Sequence, residues 1–354
     1  MATTTYFLGA NTPEGFQSRY DTLFHDSRIQ ELIILKGGPG CGKSTLMRTL
    51  SAAAASKGCA VEEILCSSDP DSLDALIIPA AGLALVDGTA PHVVEPPLCG
   101  LGARYLDLGQ FYDGETLSQT RASLLALKEK NAACYPLAYH ALQAARAASD
   151  ALRQIAAAAL PPEVLADAKT RLMPRVIPMR QGVGEVLLRY TTALTPKGCI
   201  CAPLPCPTLY VLQDSYGLAA PFLTSLRREF RVAGHRMALG FDPLHPHSLQ
   251  SLLLPELEIG YAVSDSIFSL PENANPVIDF DALVEEYISF EAGQRLQAFA
   301  QLRELSVREA LVHLANAKRH HDALEQLYRP AVDFAGLDRL TASMVQLLEK
   351  NLSV

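Results

Sequence analysis

A chain of 354 residues, 49% hydrophobic and 19% charged, has the length for two domains that each bury a core. Its net charge of -8 advertises no basic surface for nucleic acid or anionic lipid. No segment approaches the roughly 18 consecutive apolar residues of a membrane span, and the opening Met1 to Tyr6 lacks a basic region ahead of an apolar one. With eight cysteines scattered instead of framing a small fold, the expected setting is the reducing cytoplasm, without membrane or nucleic-acid partners.

In chain order, the first strand is expected near residues 5–10, running into the Pro13–Gly15 turn. A second apolar strand, 31–36, leads into Gly37-Gly38-Pro39-Gly40-Cys41-Gly42-Lys43-Ser44-Thr45. Gly37, Gly42, Lys43 and Ser44 fall on the spacing G-x-x-x-x-G-K-[ST], the phosphate-binding loop of nucleoside triphosphatases. Glycines there let successive N–H groups approach phosphate oxygens. The helix that follows aims its positive end at the same anion. Lys43 is expected to reach the β and γ phosphates and Ser44 to ligate Mg²⁺; Thr45 is a helix-start hydroxyl. Cys41 is either a small filler or a thiol made acidic by neighbouring positive charge.

Strands near 60–66 and 83–86 follow, with an acidic turn between them. Leu83-Ala84-Leu85-Val86-Asp87 is an apolar strand ending in a carboxylate, the pattern that serves Mg²⁺ or its waters. Gly88, not glutamate, comes next, so the water-activating carboxylate of fast hydrolases is missing. Asp69 is a candidate general base or acceptor-binding group, although Asp-Pro beside serines also makes a capping turn. Asp71 and Asp74 are read as solvent-facing or capping. Thr89 and His92 are candidates for sensing a γ phosphate. Arg104, Arg121, Arg171, Arg175 and Arg180 are candidates for neutralising transferred charge. From Glu115 to Leu160 apolar residues recur at three- and four-residue steps, and Pro136 is expected to split this run into a helical hairpin.

The later half echoes the earlier one. Residues 7–15 are answered by 190–198, the glycine-rich loop by Val211 to Leu223, Asp69–Pro79 by Asp242–Pro255, and Ala145 to Ile155 by Ala317 to Leu327. In this register Gly40 meets Gly217, but Gly42, Lys43 and Ser44 meet Ala219, Ala220 and Pro221. The second loop keeps its frame and loses its chemistry. A duplication with a boundary near 180–187 follows, giving domains 1–183 and 184–354. Strands alternating with helices imply mainly parallel sheets. Cys199, Cys201 and Cys206 lack the paired C-x-x-C halves of a zinc site, and His245, His247, His320 and His321 are expected on loops and helix surfaces.

The segments 11–16, 35–46, 67–74 and 86–92 together resemble a bacterial family of uncharacterised ATPase-like proteins with two tandem P-loop domains, and the likeness spans nearly the whole chain. Members of that family commonly carry a second phosphate loop; Ala219, Ala220 and Pro221 depart from it. The resemblance implies ATP binding and a duplicated α/β fold of tandem P-loop NTPase-like domains, each with a long helical hairpin. The leading expectation is a slow Mg-dependent ATPase used as a switch, with Lys43 and the loop amides on phosphates, Ser44 and Asp87 on Mg²⁺, and the hairpins as partner surfaces. The alternatives are a small-molecule kinase in which Asp69 activates the acceptor, and a nucleotide-binding scaffold without turnover.

Overall fold

The computed structural model describes residues 3–90, 93–96, 98, 100–173, 177–270 and 276–352. The first half runs β1 (Thr3–Tyr6), β2 (Gly9–Thr12), β3 (Gly15–Ser18), β4 (Glu31–Lys36), α1 (Lys43–Ser56), β5 (Val61–Cys66), β6 (Asp69–Ile78), β7 (Leu83–Asp87) and β8 (Ala103–Asp107). Three helices follow, α2 (Gly114–Gln119), α3 (Arg121–Ala159) and α4 (Pro162–Leu172). The second half repeats the series as β9 (Val186–Arg189), β10 (Thr192–Thr195), β11 (Gly198–Cys201), β12 (Thr208–Gln213), α5 (Ala220–Val232), β13 (Met237–Phe241), β14 (Leu249–Leu254), β15 (Ile259–Ser264) and β16 (Pro276–Asp279). It ends in α6 (Phe280–Tyr287), α7 (Phe290–Tyr328) and α8 (Phe334–Leu352).

Two six-stranded sheets have the same topology, β1-β5-β6-β7-β4-β8 and β9-β13-β14-β15-β12-β16, so the repeat legible in sequence is also a repeat in space. Each is parallel except for one strand. β6 and β14 run antiparallel to both neighbours. These strands fall where an acidic turn was expected. Asp69, Pro70 and Asp71 carry turn chemistry, but from Leu73 to Ile78 every side chain is buried, as befits a strand covered on both faces. Asp74 is therefore not solvent-facing: it is 4% exposed and accepts the Tyr20 hydroxyl at 2.7 Å.

The helical regions also differ from expectation. α3 passes through Pro136 unbroken, and among the described residues neither long helix forms a hairpin with the helix that follows it in its own half. Instead α3 and α7, 39 residues each, lie antiparallel to one another, with Asn131 Nδ2 donating to Ala317 O and Ala138, Leu142 and Ala145 packed with Val307, Ala310 and Leu314. Pro136 removes one intrahelical hydrogen bond. Buried Cys134 and Ala138 on either side hold the helix through it.

Each half then gives its last helix to the other. Ala168 and Leu172 of α4 join the core of the second sheet, while Leu348 of α8 joins that of the first, against α1. Phe7 and Tyr190, equivalent positions in the repeat, exchange backbone hydrogen bonds at 2.9 and 2.8 Å. The halves are thus sequential in sequence and interlocked in packing. Among the described residues no helix is long and apolar enough to cross a membrane.

Candidate functional site

β4 is buried from Leu32 to Leu35 and stops at Lys36, where the chain turns through the glycine-rich loop into α1. Gly40 (φ +70°) and Gly42 (φ +79°) adopt the left-handed region that a side chain disfavours. At Gly42 a Cβ would also lie 2.7 Å from Leu337 Cδ2 of α8. Lys43 Nζ donates to Gly37 O at 2.7 Å and Gly38 O at 3.0 Å and lies 3.5 Å from Asp87 Oδ2. Asp87 reaches this point because β7 pairs with β4, setting Asp87 opposite Leu35. Its Oδ1 accepts from the Thr89 amide and hydroxyl at 2.9 and 2.6 Å. Ser44 Oγ accepts from the Leu73 amide at 2.9 Å, which ties the start of α1 to β6. Asp69, at the start of β6, accepts from Ser72 Oγ at 2.8 Å.

Lys43, Ser44, Asp87 and the loop are therefore brought together, with Thr45 exposed on the first turn of α1. Cys41 is 1% exposed, and burial pushes its thiol up despite Lys43, so it serves as packing. Tyr112 closes one side of the loop, donating from its hydroxyl to Pro39 O at 2.8 Å.

The roof of the loop comes from the other half. A Cβ at Gly40 would stand 3.6 Å from Glu325 O and 3.8 Å from Glu325 Cβ, placing α7 directly over the loop. His321, Lys318 and the Gly40 amide hold the Glu325 carboxyl below its usual range. Two turns earlier on α7, Lys318 pairs with Asp322 and lies 3.5 Å from Asp69 Oδ2. Burial opposes its charge, but these carboxylates outweigh it and raise the Lys318 pKa. Tyr328 stacks obliquely on Tyr112, ring centroids 5.3 Å apart. Lys318, Glu325 and Tyr328 were not found by sequence reasoning, since each looks locally like an ordinary residue of a long helix.

The second loop answers the first with a different solution. Asp214 stands at the position of Gly37, 2% exposed. Its carboxylate accepts from the Tyr216 amide at 3.1 Å and the Ala219 amide at 2.6 Å, so the turn of amides is filled by the chain's own anion. Burial pushes the Asp214 pKa up, against these amides. Arg153 of α3 packs over Gly217 just as Glu325 packs over Gly40.

Other sequence candidates lie elsewhere. Arg104, Arg171 and Arg180 pair with Glu31, Asp167 and Glu256, and Arg121 is exposed at the start of α3. His92 and Arg175 fall outside the described residues. His321 lies on α7, 3.4 Å from Glu325 of the roof, and His245 on the loop after β13, against Asp242 and Asp150 at 3.1 and 3.3 Å, the loop and helix positions expected of them. His247 is largely exposed and His320 is half-buried on α7. Among the described residues no cluster of His, Cys, Asp or Glu has the form of a metal site, Cys199, Cys201 and Cys206 included. No protein-family model, curated protein or solved structure matches the chain.

Proposed function

We propose that the first half binds Mg-ATP and hydrolyses it slowly, with the α7 roof as the responding element of a switch. The observation that carries this is the convergence of Lys43, Ser44 and Asp87 on a loop whose Gly40 and Gly42 have left-handed backbone. The donor set fits the group: one hydroxyl and one carboxylate are hard oxygen ligands suited to Mg²⁺, which keeps several waters. Mg²⁺ when bound neutralises phosphate charge. Lys43 exchanges its bonds to Gly37 and Gly38 carbonyls for phosphate oxygens. The amides of Gly38, Gly40, Cys41, Gly42 and Ser44, with Thr45 at the helix start, complete the cradle. Because Glu325 lies on Gly40, a bound polyphosphate competes with that carboxylate and bears on α7, which carries α8 and pairs with α3.

A second reading, transfer of the γ phosphate to a small acceptor, is favoured by Asp69 and Lys318, a carboxylate and an ammonium 3.5 Å apart between β6 and the roof. There Asp69 would take the acceptor's proton and Lys318 would meet the transferred charge. The deciding experiment measures nucleotide binding and ADP release in parallel, wild type beside Lys43→Ala, with and without candidate acceptors. Lys43-dependent turnover without acceptor supports the switch, and acceptor-dependent turnover supports the kinase. Binding without turnover reduces the protein to a nucleotide-binding scaffold, and absence of binding overturns the proposal.

A further inference from the structure

Beside the first loop, an open groove of about 320 Å³ lies between segments 110–113 and 330–333, one from each half. Asp113 N donates to Ala331 O at 2.7 Å and Asp333 N to Phe111 O at 2.8 Å, an antiparallel bridge that sets Tyr112 opposite Val332. Tyr112 belongs to both places: it lines the groove, and its hydroxyl donates to Pro39 O of the loop at 2.8 Å. A Cβ at Gly38 would stand 3.0 Å from that hydroxyl, so glycine there lets the ring come this close. Groove and loop are thus one tyrosine side chain apart. Contact with Tyr328, 5.3 Å between centroids, holds the plane of the ring.

Position, charge and size restrict the occupant. β7 and β8 flank β4 on opposite sides. With Asp87 at the end of β7 serving the metal-bound end of a polyphosphate, the nucleoside end is left the β8 side, where Tyr112 follows the strand. Among the described residues no Lys or Arg lines the groove, and two of those that do, Asp113 and Asp333, are exposed carboxylates. Phosphate is therefore disfavoured there. What the groove offers instead is an aromatic residue with Phe111, Pro330 and Val332, a setting for a flat, uncharged group. Its volume lies at the lower end of the roughly 300–1,000 Å³ of small-molecule sites.

We propose that this groove receives the nucleobase of the bound triphosphate, stacked on Tyr112 and held against Val332 of the other half. The inference rests on the nucleotide reading and adds to it a site that a bare polyphosphate does not fill. The test compares Mg-ATP with Mg-tripolyphosphate on the full chain by calorimetric titration, and maps by mass spectrometry where azido-ATP crosslinks on illumination. Wild type should bind ATP about tenfold or more tighter than tripolyphosphate, the scale of one base stacked on an aromatic ring. Tyr112→Ala should remove that advantage and leave tripolyphosphate affinity unchanged, while Tyr112→Phe should keep it. The crosslink, read in wild type and so independent of whether a variant folds, should fall within 110–113 or 330–333. Equal affinity for the two ligands, equal weakening of both by Tyr112→Ala, or a crosslink elsewhere overturns the inference, and Lys43-dependent tripolyphosphate binding would then leave the loop reading standing. Binding of neither ligand overturns the nucleotide reading and this inference with it.

Discussion

The two loops of this molecule share a frame and differ in where the negative charge for their amides comes from. Around Lys43 the first position is Gly37, the side chain folded into the turn is the cationic Lys43, and the carboxylate at Gly40 belongs to α7 of the other half. Around Gly217 the first position is Asp214, whose carboxylate is covalently part of the turn and accepts from the amides of 216 and 219. A turn of convergent N–H groups makes a concavity that favours an anion. One loop carries its anion within the turn, and the other has one supplied by α7 of the other half, the arrangement on which the proposed switch rests.

The largest effect that would sharpen this contrast is expected from Lys43→Ala. Loss of a lysine serving a polyphosphate should weaken Mg-ATP binding by about 100-fold or more, on the scale of two charge-assisted hydrogen bonds, measured by fluorescent-nucleotide displacement. The equivalent change in the second half, Ala220→Lys, should create no nucleotide site, because Asp214 remains in place. Gain of nucleotide binding there would break the comparison.

Next in size is Asp214→Ala. Removing a buried acceptor leaves the amides of Tyr216 and Ala219 unpaired, at about 2–4 kcal/mol for two such groups, read as a lower urea midpoint with unchanged slope. Gly42→Ala should cost about 1–3 kcal/mol, from a non-glycine residue held at positive φ and from its contact with Leu337. That variant also tests the interlock, since relief by Leu337→Ala in the same chain would show that α8 bears on the loop.

Much of the first loop was legible because its residues are contiguous and each has a local physical reason: buried β4 strand, glycines at positive φ, helix start at Lys43, then Asp87 at the end of an apolar strand. The doubling was legible too, down to the proline-led turns after β6 and β14, closed by Gly82 at φ 59° and Glu258 at φ 58°. What was hidden depends on contacts remote in sequence. Lys318 and Glu325 are spaced as any helix-surface charges are, and only the pairing of α3 with α7 and the exchange of α4 and α8 carries α7 across to the first loop. β6 was hidden for a local reason, because Asp69-Pro70-Asp71 reads as a turn while its burial comes from both flanking strands.

Glu325→Gln tests the anion supplied by α7 directly. The change keeps size and hydrogen bonding but removes the negative charge at Gly40, so Mg-ATP affinity should rise several-fold, about the worth of one like-charge contact at a partly exposed site. Salt should narrow the difference, as it screens exposed charges. Unchanged affinity would mean that α7 covers the loop without competing for it.

The smallest expected effect is a pH slope confined to the second half. Asp265 is pushed up to about 6, by burial first and by the neighbouring Asp242 charge, against the Ile267 and Phe268 amides and Arg303. A carboxyl whose folded pKa lies above its unfolded value holds its proton longer in the folded state. Stability from this group is present in acid and is lost as pH rises from about 4 through 6. Asp26 and Glu62, held low by Arg28 despite burial, act with the opposite sign, their contribution present above the ordinary carboxylate range and lost as pH falls below it. The total profile therefore mixes both, and the difference between wild type and Asp265→Asn isolates one. That difference, from urea midpoints between pH 4 and 7, should shift in favour of the asparagine variant as pH rises. A flat difference would mean that Arg303 compensates the Asp265 charge fully.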